Sequence, residues 1–186
     1  MAEKFDAQVI AAKLMGSVQD LMEKTCKSKL SEKPVMETKE IIEYGSRMRV
    51  LGLSKFDGPC YVAAVNLYLN QKKSEDKDAC GVIVSYWEQE TAEGFVRALQ
   101  KGLDLEDPDV ILDSCGEFCN SIAGQFKNEL AAFGYPELNL STIIKARNEI
   151  DEGVDFPFSE GEYCELSFKV KNKKVVVVSL VMAPPA

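Results

Sequence analysis

Apolar residues recur at helical spacing over residues 5–26, where Phe5, Ile10, Leu14, Val18, Leu21 and Met22 share a face. Residues 27–38 (Lys27, Ser28, Lys29, Ser31, Glu32, Lys33, Pro34) are polar and predict a linker; 39–45 is ambiguous, with a helical turn closed by Gly45 as one reading. Residues 46–56 read as a strand. Asp57-Gly58, with Pro59 behind, marks a tight turn and makes 60–69 the return strand of a hairpin. Gln71 to Asp78 is a charged loop. Cys80, Val82, Val84 and Tyr86 then alternate in a third strand, 79–87, and Thr91 to Lys101 is an amphipathic helix with Phe95, Val96 and Leu99 inward. A polar connector, Asp104 to Asp109, carries Asp107-Pro108-Asp109, which suits a helix start. A long helix follows over 110–133, ended by Gly134 with Pro136 beyond. Leu140 to Ala146 reads as a strand, and Glu149, Asp151, Glu152 and Asp155 as an acidic loop, with Pro157 and Gly161 after it. Residues 162–170 and 174–182 form a closing hairpin around Asn172. Consecutive strands on short turns predict an α+β class: mainly antiparallel sheets flanked by an N-terminal helix and the long helix.

The long helix holds the most informative pattern. Cys115, Cys119, Ile122, Phe126 and Leu130 form its apolar stripe, with Phe118 at the edge. Glu117, Asn120 and Gly124, spaced i, i+3, i+7, project together on the opposite side. A mid-helix glycine costs about 0.8–1 kcal/mol relative to alanine, and is understandable where another backbone must come close. Asp113 falls on the same face, as a surface or near-cap residue or as a partner contact, and Lys127 sits at its edge. Taken alone, Glu-x-x-Asn is a weak signal, because polar residues on an outer helix face mostly just solvate it.

Composition narrows the chemistry. The 186 residues, 46% of them apolar, fit one domain with a real core, 1–186, in which 27–56 reads as an extension or insertion. Lys and Arg number 22 against 30 Asp and Glu, a net charge of −8 with no basic block, which argues against nucleic acid or an anionic membrane as the ligand. There is no histidine, so Ser-His and Cys-His nucleophile systems and imidazole metal sites are excluded. The six cysteines (26, 60, 80, 115, 119, 164) form no C-x-x-C and alternate or recur with apolar residues. They read as reduced core residues of a cytoplasmic protein, a thiolate zinc site being the rival. Glu3, Lys4 and Asp6 precede any apolar run, unlike a signal peptide, and no stretch approaches the roughly 18 apolar residues of a membrane span. Val175 to Met182 reads as a buried strand, and Trp87 and Tyr86 as core aromatics at a strand end.

A carboxylate and a carboxamide one turn apart cannot form a covalent intermediate usefully by themselves. They can complete another protein's active site. An aspartyl phosphate that already has Mg²⁺ and a lysine lacks only a water held in line with phosphorus; a carboxamide can hold that water, and a nearby glutamate can pair with the lysine. The run Gly116-Glu117-x-x-Asn120-x-x-x-Gly124, entered from Asp113 and followed by Lys127 and Leu130, resembles the signature helix of the CheC/CheX/FliY chemotaxis phosphatases, best the CheX type. Asp6-Ala7-Gln8-Val9-Ile10 with Gly16-Ser17-Val18 is similar to the family's opening helix, Ala79 to Leu99 to its strand and helix ahead of the signature. Leu140-Ser141-Thr142-Ile143-Ile144 and Leu166-Ser167-Phe168-Lys169-Val170 are similar to the strands behind it.

The resemblance implies hydrolysis of the aspartyl phosphate of a CheY-type response regulator, in the cytoplasm, with Glu117 and Asn120 carrying the activity. Asp113, Gly116, Gly124 and Lys127 are then partner-binding positions. The Mg²⁺ belongs to the substrate protein, and the chain has no cofactor or metal of its own. CheX-type members imply a homodimer joined through the sheets; two motifs mark CheC-type members, and this chain has one. The alternative is a non-catalytic module of the same kind that binds a receiver domain or another signalling protein. Asn120 separates the two readings, because a buried or internally bonded amide cannot hold a water in a partner's site.

Overall fold

The computed structural model describes residues 5–99, 102, 105–157 and 161–185. Glu3 and Lys4, the last two residues of the helix expected over 91–101, and Asp104 lie outside the described residues. Asp6 caps the first helix, α1 (Ala7–Asp20), by accepting from the backbone N–H groups of Gln8 (2.9 Å) and Val9 (3.2 Å). The helix continues through one wider π turn, Leu21–Thr25, to Cys26, so the helix read over 5–26 forms from Ala7 on, with Phe5 ahead of its cap. Among the described residues three helices follow: a short α2 (Gln71–Glu75) inside the charged loop, α3 (Gln89–Leu99) and the long α4 (Pro108–Leu130).

Among the described residues ten strands make two antiparallel sheets. They are β1 (Val35–Glu40), β2 (Glu43–Tyr44), β3 (Arg47–Leu51), β4 (Cys60–Tyr68), β5 (Gly81–Glu88), β6 (Asn139–Leu140), β7 (Ile144–Arg147), β8 (Glu149–Val154), β9 (Glu162–Val170) and β10 (Lys173–Met182). The large sheet runs β1-β9-β10-β5-β4, and β4 then pairs with both β6 and β7; the small sheet runs β2-β3-β8. The class is α+β, as expected.

Both faces of the large sheet are covered, so every residue of β4 and β5 is buried, beyond the alternation read for 79–87. On β4, Tyr61, Ala63, Val65 and Leu67 join the core under α1, α3 and α4, while Val62 and Ala64 join a second core under the small sheet. The second core contains Met48, Val50, Ile150 and Val154 from β3 and β8. Trp87 is fully buried, with its ring centroid 5.2 Å from that of Phe118, and its indole N–H donates to Ser85 Oγ at 3.1 Å. All six cysteines are buried in the two cores. Burial pushes the thiols up, Cys26 and Cys80 to about 12 and Cys60 and Cys119 to about 11, so these sulfurs stay protonated at neutral pH.

Four expectations are corrected. Residues 46–56 and 60–69 are not a hairpin: β3 and β4 lie in different sheets, and the segment between them crosses from one to the other. The polar stretch taken for a linker ends in an edge strand, β1, paired antiparallel with β9; five of its six residues are exposed and two of them are lysine and glutamate side by side, so it carries no apolar alternation. The acidic loop at 149–155 is largely β8, because Ile150 and Val154 face the second core while the acids face out. The strand expected over 140–146 is two short pieces, β6 and β7, both pairing with β4. In the gap between them Ser141 Oγ accepts from Asn66 N–H at 2.9 Å.

Candidate functional site on the long helix

The helix that carries the signature is seated from both ends. Asp107 accepts from Asp109 N–H at 2.9 Å and Pro108 takes the first turn, where a missing N–H costs nothing. A turn of 3₁₀ helix, Ala131–Phe133, closes it, and Gly134 follows at φ +93°, a conformation that favours glycine. Cys115, Cys119, Ile122, Phe126 and Leu130 are buried to within 1% against the large sheet and α1. Across the helices Gln125 Nε2 lies 3.4 Å from Asp20 Oδ2. Anchored this way, α4 turns Asp113, Glu117, Asn120, Gly124 and Lys127 outward over roughly a quarter of its circumference.

Glu117 and Asn120 are both exposed. Among the described residues neither side chain has a hydrogen-bond partner, so the acid and the amide are presented rather than used to hold the fold. Gly124 is half-buried, yet a β-carbon added there would meet nothing within 4 Å outside its own helix. The helix surface at Gly124 is therefore open to a close approach. Lys127, half-buried, borders this face.

Gly116 and Asp113 are placed differently. Gly116 is buried, and a β-carbon on it would lie 3.4 Å from Lys145 Cδ and 3.5 Å from Ile143 Cγ2. It faces β7 and the residues before it at ordinary packing distance. Asp113 is exposed and ion-pairs with Lys145 Nζ. Lys145 is the residue that sequence reading left out of the site: nothing in a lysine on a short strand shows that the strand ends beside the signature helix. Among the described residues no three acidic or thiol side chains converge as a metal site, and no helix is long and apolar enough to cross a membrane.

No family model and no curated protein matches the sequence. The fold is matched closely. A CheC-like superfamily protein from Shewanella sp. PV-4 superposes with a TM-score of 0.60 at 16% identity, over 92% of this chain and 96% of that one. This chain has the fold of the CheC and CheX chemotaxis proteins. The chemotaxis protein CheX from Vibrio vulnificus matches at TM-score 0.59 and 12% identity, over 93% of this chain and 98% of its own. CheX in a CheX–CheY–BeF3–Mg²⁺ complex from Borrelia burgdorferi matches at TM-score 0.59 and 16% identity, over 94% and 97%. Each of these matches covers more than nine-tenths of this chain. Within the CheX-type fold, α4 is the helix whose outer face carries Glu117 and Asn120.

Proposed function

We propose that this chain hydrolyses the aspartyl phosphate of a CheY-type response regulator, in chemotaxis or two-component signalling in the cytoplasm. The observation that carries the reading is Asn120: its amide stands exposed and unbonded among the described residues, one turn from Glu117 and one turn from an open Gly124. The similarity to a CheX held with CheY, BeF3 and Mg²⁺ supports a CheY-type partner.

In this reading Asn120 enters the partner's site and holds a water in line with phosphorus. The water oxygen forms the new P–O bond, the bond to the aspartate oxygen breaks, and the carboxylate leaves with the electron pair; the water's protons depart with inorganic phosphate and solvent. The chain contributes position, which is most of what phosphoryl transfer requires. Glu117 pairs with the partner's active-site lysine and sets the register. Gly124 lets the partner's backbone approach, with Asp113 and Lys127 at the borders. Mg²⁺ comes with the substrate protein. A sheet-joined homodimer belongs to the same proposal, and β1, hydrogen-bonded on one side only, is an edge through which it could form.

The test is the rate of phosphate loss from a phosphorylated CheY-type protein with and without this chain. Wild type accelerates it, and Asn120→Ala removes about a hundredfold or more of that acceleration. A well-folded wild type that binds the phosphorylated partner without accelerating hydrolysis would establish the non-catalytic module instead.

A further inference from the structure

Lys145 is held at both ends of its side chain. Its stem lies against Gly116, with Cδ 3.4 Å from where a β-carbon would stand, and its ammonium pairs with Asp113 one helical turn before Glu117. The head is still reachable: 40% of the Lys145 side chain and 66% of that of Asp113 remain exposed. An ordinary surface lysine samples many rotamers and gives up entropy when it is captured. This one is already placed beside the outward face of α4 by a neighbouring strand.

We infer that Lys145 is a docking residue of the Glu117–Asn120 face, taking a carboxylate or phosphoryl oxygen on the partner. The inference rests on the receiver-domain reading above. An aspartyl phosphate that binds Mg²⁺ sits among carboxylates, because that cation takes oxygen ligands. A chain of net charge −8 meets such a surface more readily where a cation is fixed at the contact. Lys145 supplies that cation, and Asp113 holds it in register until docking, when the ammonium is shared between Asp113 and the partner. A rim charge of this kind acts on encounter and affinity, while the amide of Asn120 acts on the chemical step.

The experiment uses a CheY-type receiver domain from the same organism, phosphorylated from acetyl phosphate in Mg²⁺, at varied concentration. Lys145→Met raises KM about tenfold with kcat within about twofold of wild type, flattens the salt dependence of kcat/KM, and is restored by Lys145→Arg. Asn120→Ala shows the opposite split. An unchanged KM in Lys145→Met, or a fall confined to kcat, would overturn the docking role. Titration of the same variants with the BeF3-loaded receiver separates this inference from the phosphatase reading. Should wild type bind but not hydrolyse, weaker binding by Lys145→Met still upholds the docking role, and equal binding sinks it. Absence of any binding by wild type refutes both. Thermal melting of Lys145→Met within a few degrees of wild type confirms that the difference lies at the surface.

Discussion

A single carboxamide carries the functional reading, and its neighbours allow the reading to be tested without disturbing the fold. Gly124 is the sharpest case. Because a β-carbon there meets nothing outside the helix, Gly124→Ala should raise stability by about 0.8 kcal/mol through helix propensity alone, seen as a higher urea midpoint with unchanged slope. Gly124→Gln should fold equally well and yet lose at least about tenfold in kcat/KM toward a phosphorylated receiver, since a long side chain then fills the approach. If the larger side chain leaves turnover unchanged, the face does not dock as described. Asn120→Ala, exposed and unbonded within the chain, should leave the melting temperature within about a degree while the catalytic effect disappears. The glycine eight positions earlier behaves differently. Gly116 is buried against Ile143 and Lys145, so its substitution is felt in packing first. Sequence spacing grouped both glycines with the signature, and only their surroundings separate the packing residue from the open one.

At the scale of elements, α4 was legible because three independent signals coincide: the Asp107-Pro108 start, the apolar stripe and the Gly134 stop. The strands were less so. β1 is an edge with Glu37, Lys39 and Glu40 exposed, and in β8 the acids Glu149, Asp151 and Glu152 are exposed while Ile150, Gly153 and Val154 are buried, so neither shows the apolar density by which strands are recognised. The turn signal at Asp57-Gly58-Pro59 was real but joined two sheets rather than two hydrogen-bonded neighbours. That crossover is tight at Gly52, whose N–H donates to Asn148 C=O at 2.5 Å. A β-carbon at Gly52 would collide with Cys60 Sγ and with the Asn148 carbonyl. Gly52→Ala should therefore cost about 2 kcal/mol of unfolding free energy by equilibrium denaturation, and a neutral result would mean that the crossover is looser than the structure shows.

Across the whole molecule the edge strand β1, β9 and the crossover between the two sheets are tied by one buried charge. Glu165 on β9 is 2% exposed and receives Lys39 Nζ from β1 at 2.6 Å and Lys55 Nζ from the crossover at 2.5 Å. The Lys55 ammonium lies 5.2 Å from the ring centroid of Tyr86 and 5.4 Å from that of Tyr163. Burial raises the pKa of the Glu165 carboxyl, and the bonds from Lys39 and Lys55 outweigh it, leaving the group below the ordinary carboxylate range. A carboxyl depressed in the folded state contributes stability that is complete above its unfolded pKa of about 4.3 and is lost as pH falls through the folded value. Stability should thus be flat near neutrality and decline below about pH 4, and Glu165→Gln should reduce that decline. The same substitution strands Lys55 without its counter-charge and should cost about 3 kcal/mol at pH 7; a pH profile unchanged by it would show that other carboxyls dominate acid unfolding. None of this network was visible in the chain order, since Lys39, Lys55 and Glu165 are separated by more than a hundred residues end to end. Local chemistry determines where a helix caps, which of its faces is apolar and which side chains it turns outward, and these depend on neighbours within a few residues, so Glu117, Asn120 and the long helix could be read directly. Sheet partners, the pairing of Lys145 with Asp113 and the burial of Gly116 depend on which segments meet after the chain has folded, and that contact is set by the packing of two cores on one sheet rather than by any short stretch of sequence.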